Sequence, residues 1–254
     1  MKTLSYILLF FALTSCVSTA QSIVGNGTLK KETRAANGFA GVVSDGPFDV
    51  AIAYGEPNGV TVEADENLLP YIETVVEENI LVIRVKEGRS LKAKNKITVT
   101  LSATKLNTLA LNGSGNIKAS GNFRNDGTTD LAIGGSGNLH VSFESFGSLN
   151  AAVNGSGDMM LSGKARDLSA AINGSGNIEA YGVTVDNANV AINGSGNVNI
   201  TANGSIDATI SGSGNVNYKG SATTSTKAAP AAAKCASPDR GSRGLEDWQG
   251  GLDR

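Results

Sequence analysis

The sequence is poor in most of what announces chemistry. It holds two cysteines in 254 residues, Cys16 and Cys235, and one histidine, His140. Two cysteines so placed build neither a disulfide framework nor a thiolate metal site. A single histidine excludes zinc bound by several imidazoles. No metal or cofactor is therefore expected. Charged residues are 17% of the chain, against the usual quarter, and the net charge is −2. No basic face for nucleic acid follows, and at 5% aromatics there are too few rings to stack bases. Beyond the first residues, no apolar run is long enough to span a bilayer as a helix.

Glycine is what the chain has in excess, 32 residues against only 5 prolines, and it recurs in register. The first copy of a five-residue word is Asn112-Gly113-Ser114-Gly115-Asn116, and the second Gly134-Gly135-Ser136-Gly137-Asn138. Then come Asn154-Gly155-Ser156-Gly157-Asp158, Asn173-Gly174-Ser175-Gly176-Asn177, Asn193-Gly194-Ser195-Gly196-Asn197 and Ser211-Gly212-Ser213-Gly214-Asn215. Their first glycines are spaced 22, 20, 19, 20 and 18 residues apart. Such a period marks a stacked repeat. Apolar and small or polar residues alternate on both sides of each word. Leu149, Ala151 and Val153 recur as Leu168, Ala170 and Ile172, then as Ala188, Val190 and Ile192. Behind the turn stands a column of Ile117, Leu139, Met159, Ile178, Val198 and Val216. A period of two is a strand with one buried face.

Each repeat is thus strand, glycine turn, strand and a looser return. The predicted fold is all-β: a right-handed parallel β-solenoid of about six coils, each near 20 residues. The turn word predicts positive φ at glycine, with Asn or Asp the best substitutes. The column Asn116, Asn138, Asp158, Asn177, Asn197 and Asn215 predicts side-chain hydrogen bonds from coil to coil. The Asn-Gly-Ser sequons at Asn112, Asn154, Asn173, Asn193 and Asn203 are read as turn chemistry, not glycan acceptors.

The ends differ from the repeats. Residues 1–20 read as a signal peptide, with Lys2 ahead of an apolar run from Leu4 to Leu13. Ser18-Thr19-Ala20 before Gln21 suits an ordinary signal peptidase, whereas Leu13-Thr14-Ser15-Cys16 resembles a lipobox that would leave Cys16 lipidated. Both processing routes stand, and both remove Cys16 from disulfide chemistry. Alternating runs at 48–54, 60–64, 80–85 and 97–101 predict more irregular N-terminal strands that join or cap the solenoid. Asp65 to Tyr71 reads as a short helical turn broken at Pro70, and the lysine run at 86–96 as a solvated edge. Residues 221–254 lack alternation and are expected to be a disordered tail.

Gly38-Phe39-Ala40-Gly41-Val42, the earlier Gly25-Asn26-Gly27 and the repeated turn words together resemble the autotransporter adhesin head, or GIN, domain of bacterial envelope proteins, frequent in Bacteroidetes. The resemblance covers residues 24–220. It implies a β-solenoid and an exported location, and it brings no catalytic residues.

Candidate chemistry is sparse. No helix or Gly-Lys-Ser/Thr follows the glycine words, so they are not phosphate loops. Calcium β-rolls need a regular carboxylate, where this column is Asn. A β-helix hydrolase or lyase needs converging carboxylates. Asp130 and Asp207 share an outward column but stand four coils apart, about 19 Å, and His140 is alone. The remaining feature is a column of small outward residues, Ala110, Ala132, Ala152, Ala171, Ala191 and Thr209. It predicts either packing against the N-terminal strands or a flat docking face for a glycan, a protein or a second copy. The expectation is a non-catalytic, adhesin-like module of the cell envelope that touches membrane only through a lipid anchor. An assembly scaffold that self-associates, and a carbohydrate-active enzyme, are the alternatives.

Overall fold

The computed structural model describes residues 21–228 and 234–236. The alternation of the sequence becomes two long parallel sheets that face each other across one core. The first sheet carries, in spatial order, Ile80–Val85, Gly41–Asp45, Thr108–Gly113, Thr128–Gly135, Ser148–Gly155 and Asp167–Gly174. The second carries Ile97–Ala103, Phe48–Tyr54, Asn116–Ser120, Asn138–Ser142 and Asp158–Lys164 in the same way. Two longer strands, Asn177–Gly194 and Asn197–Gly212, run through the return side and supply both sheets of the next coils. Registers on the first sheet are in step: Leu149 pairs with Leu168, and Leu168 with Ala188; on the return side they shift, as between Met160 and Ser162. The inward columns are fully buried.

The return side sets how wide each coil is. Where the repeat is longest it is filled by Phe123, Phe143 and Phe146, stacked with centroids 4.6 Å and 5.2 Å apart. Later coils use Val183, Val185 and Ala202 at the same buried side. Asn125 and Thr129 close the wide coils from within: the Asn125 amide donates to the Leu106 carbonyl at 2.6 Å, and the Thr129 hydroxyl to that of Phe146 at 2.9 Å.

The N-terminal strands do more than cap. Gly41–Tyr54 forms a coil that lies between 80–103 and 108–120, out of sequence order. The solenoid then changes to antiparallel pairing at this end, with Leu29–Arg34 on Val60–Asp65, Val60–Asp65 on Ile97–Ala103, and Ile72–Glu77 on Ile80–Val85. A 3-10 turn at Leu69–Tyr71 contains Pro70, where the sequence predicts a helical turn. Among the described residues no helix is long and apolar enough to cross a membrane.

The expected disordered tail needs correction over part of its length. Thr223–Ala228 pairs in parallel with the strand ending at Gly212, and Lys234–Ala236 pairs with Asn215–Asn217. An edge strand of a stacked coil offers free backbone N–H and C=O groups, and a polar Ser/Thr segment can satisfy them without alternation. The rest of that tail, and the signal segment with Cys16, lie outside the described residues.

Candidate functional site

Both sheets present an outward face, and each face is built from columns at about 4.8 Å spacing. On the first sheet Ala110, Ala132, Ala152, Ala171, Ala191 and Thr209 stand in direct register. The row continues past Ala110 as Val43, Val82 and Val75. The alanines and valines are half-buried by their neighbours, and Thr209 is exposed. The N-terminal strands extend the sheet at its end and do not lie across this row. One flank is Thr108, Asp130, Asn150, Ser169, Asn189 and Asp207, and the other Asn112, Gly134, Asn154, Asn173, Asn193 and Ser211. The result is a flat ribbon of methyl groups between two polar rails.

The rails are tied along their length. The Asn173 amide donates to Asn154 Oδ1 at 2.9 Å, and that of Asn193 to Asn173 Oδ1 at 3.1 Å. A shallow groove beside the face is lined by Asn150, Asp167, Ser169, Asn187, Asn189 and Asp207, with Leu149, Leu168 and Ala188 at its floor. Asp167, which sequence reading passes over, is held below its ordinary carboxyl range by Arg166, and next by the amide of Asn187. Asp130 and Asp207 remain four coils apart on their column.

The second face shows a rule that the sequence only hints at. Each amide NH2 points to the preceding coil, and each Oδ1 accepts from the following one. Asn138 donates to Asn116, Asn197 to Asn177 and Asn215 to Asn197, at 2.9–3.0 Å. Carboxylates stand where a ladder begins, because they accept and cannot donate. Asp49 accepts from Asn116 at 2.7 Å, Asp158 from Asn177 at 2.8 Å and Glu179 from Asn199 at 2.7 Å. Asp158 therefore does not simply replace an Asn; it restarts the ladder. Asp130 and Asp167 take the same part on the first face, under Asn150 and Asn187. Asn177→Ala should cost about 1 kcal/mol in urea unfolding, since it breaks one ladder at an open surface. A loss as large as that of a core truncation would show that the ladder carries far more.

The turn glycines divide into two kinds. Gly113, Gly135, Gly155, Gly174, Gly194 and Gly212 have positive φ, between +130° and +156°. Gly115, Gly137, Gly157, Gly176, Gly196 and Gly214 are set by contact: a Cβ there would land on a backbone carbonyl of the coil before, Phe48 O for the first of them. The Asn residues of the turn words are absent from the residues with positive φ, which outside glycine are, among the described residues, Glu78 and Asn79. This corrects the expectation that backbone tolerance selects Asn; hydrogen bonding along the column does.

His140 sits half-buried in the outward column between Lys118 and the exposed Met160. Among the described residues, no three His, Cys, Asp or Glu side chains come together as a metal site.

The family model described as "Putative auto-transporter adhesin, head GIN domain" matches residues 38–222. A solved "putative adhesin" from Bacteroides fragilis is 23% identical, covers 85% of this chain and 99% of its own, and superposes with a TM-score of 0.72. A "putative lipid binding protein" from Parabacteroides distasonis, also 23% identical with 85% and 99% covered, gives 0.69. A "putative adhesin" from Parabacteroides merdae, 25% identical with 86% and 99% covered, gives 0.63. No curated protein matches the chain.

Proposed function

From the premise that the chain belongs to the family of auto-transporter adhesin head GIN domains, we propose that it is a non-catalytic binding module of the bacterial cell envelope that docks its ligand on the Ala110–Thr209 face. The observation that carries this reading is the flat methyl row between two polar rails, six coils long in one register, about 24 Å. A flat, repeating surface suits an extended ligand, a glycan chain or a protein face, that meets the same groups every coil. The non-catalytic reading is supported by the carboxylates: Asp49, Asp130, Asp158, Asp167 and Glu179 each accept an amide N–H from the next coil. A carboxylate so used is poorly placed to exchange protons with a substrate.

Export and a place in the envelope are supported by the signal-like pattern of residues 1–20 and by the family's description. Protease shaving of intact producing cells tests this: release of solenoid peptides supports a surface module, and protection until the envelope is broken moves the domain to the periplasm.

Ala171→Arg tests the face itself. The position is half-exposed and its neighbours are small, so stability should change by less than about 0.5 kcal/mol. Binding to glycan arrays or surface proteins should fall at least about tenfold, because a long cation would hold a flat ligand off the methyl row. Unchanged binding by this variant removes the face from the reading.

A further inference from the structure

A second surface is built at the opposite kind of place, the corner where the chain enters the fold. Its centre is Asp65, fully buried although charged. The backbone N–H of Lys94 donates to Asp65 Oδ2 at 2.7 Å, and the Asn95 side-chain amide to Oδ1 at 2.6 Å. Asn95 also donates to the Gly27 carbonyl at 3.1 Å, and Asn67 to that of Val24 at 2.8 Å. A Cβ on Gly25 would land on the Asp65 carboxylate. These bonds fix the 24–29 loop against the 92–96 loop.

The fixed corner displays two large apolar side chains, Val24, 57% exposed, and Leu29, 51% exposed, on the two strands that flank the 25–28 loop. Around them stand Lys92 and Lys94, exposed and without an ion-pair partner among the described residues, with Lys30 and Lys31 nearby. The acidic groups here are accounted for: Glu66 pairs with Lys30 at 2.7 Å, Glu63 with Lys31 at 3.5 Å, and Asp65 is buried. Arg89, on the strand that pairs with Gln21–Val24, and Lys86, in the turn before it, continue the cationic strip, and exposed Glu87 is the one carboxylate among them.

We propose that this corner is a membrane-contact surface, in which Val24 and Leu29 enter the headgroup region and Lys92 and Lys94 meet anionic phospholipid. The occupant follows from charge and from where the chain arrives. Gln21 enters beside Gly88, its N–H bonded to that carbonyl at 3.0 Å. Cys16 is five residues upstream in the sequence, so a lipid on it lies within about 17 Å of Gln21 along the chain. Exposed apolar side chains beside unpaired lysines are the chemistry of an interfacial contact with anionic lipid. Cleavage before Gln21 instead would put a free amino terminus on the same strip. The proposal concerns the N-terminal end and is independent of ligand docking on the Ala face.

The test is vesicle flotation with the chain beginning at Gln21, so that no lipid anchor contributes. Vesicles of phosphatidylglycerol and phosphatidylethanolamine are compared with pure phosphatidylcholine at low and at 0.5 M salt, on the order of the concentration that screens surface charge. Flotation with the anionic vesicles alone is expected, lost at high salt. Lys92→Gln with Lys94→Gln should lower partitioning about tenfold or more, and Leu29→Asn should weaken it as well. Lys118→Gln with Lys164→Gln, elsewhere on the solenoid, should leave it unchanged. The variants' melting curves confirm that each is folded. No flotation with anionic vesicles overturns the proposal. So does equal flotation by the Lys92/Lys94 variant, or binding to soluble dextran sulfate without binding to vesicles.

Discussion

Gly157→Ala is expected to destabilise the solenoid by about 3 kcal/mol or more, enough to reduce folded yield at 37 °C. A Cβ at this position would fall on the carbonyl oxygen of Gly137 and press against Ile133 Cγ2 at 2.9 Å. The obstacle is mainly backbone of a coil whose own neighbours are equally tight, so relief requires moving the stack, not rotating a side chain. Gly155→Ala should also cost stability, for a different reason, since its φ is +140°. Comparing both with Ser156→Ala, at the exposed tip between them, separates the causes in urea titrations. The expected order has Ser156→Ala near zero. If Gly157→Ala unfolds at the wild-type midpoint, the close approach of turns is not what sets the coil spacing. The melt should also be cooperative, because each coil exposes its core until the next covers it.

Asp65 gives the second large effect, at the N-terminal end. Asp65→Ala should lower the melting temperature by on the order of 10 °C, since it strands several partly buried N–H donors at once. Burial pushes this carboxyl up. The bonds from the Lys94 N–H, the Asn95 side chain and N–H, and the Gly27 N–H outweigh that and hold it below the ordinary 3.8. A folded-state value below the unfolded one stabilises the fold at neutral pH, and the contribution is lost as pH falls below about 4. The gap in stability between wild type and Asp65→Asn should therefore narrow on acidification. A gap that stays constant from neutral pH to pH 3, a range set about the ordinary carboxyl value, would show that the carboxylate's charge is not what is being held. Loss of the loop clamp should loosen Val24 and Leu29 too, visible as faster amide exchange at 24–29 and 92–96.

The sequence by itself determined the coil. Six in-register turn words and alternation by twos leave one way to bury Leu149, Leu168 and Ala188 together, and side-chain alternation is a property of the strand alone. It also placed the Ala110–Thr209 column outward, since that column falls between inward positions. Three things were decided only in three dimensions. The coil formed by Gly41–Tyr54 sits between segments that follow it in the chain, and local periodicity carries no order of stacking. Thr223–Ala228 joins the sheet without alternation, because an edge is recruited by backbone hydrogen bonds that any polar sequence can offer. The cluster of Val24, Leu29, Lys92 and Lys94 around Asp65 brings together residues up to 70 positions apart. Its members look like unrelated surface residues in the chain, and only the buried carboxylate that gathers them makes them one surface.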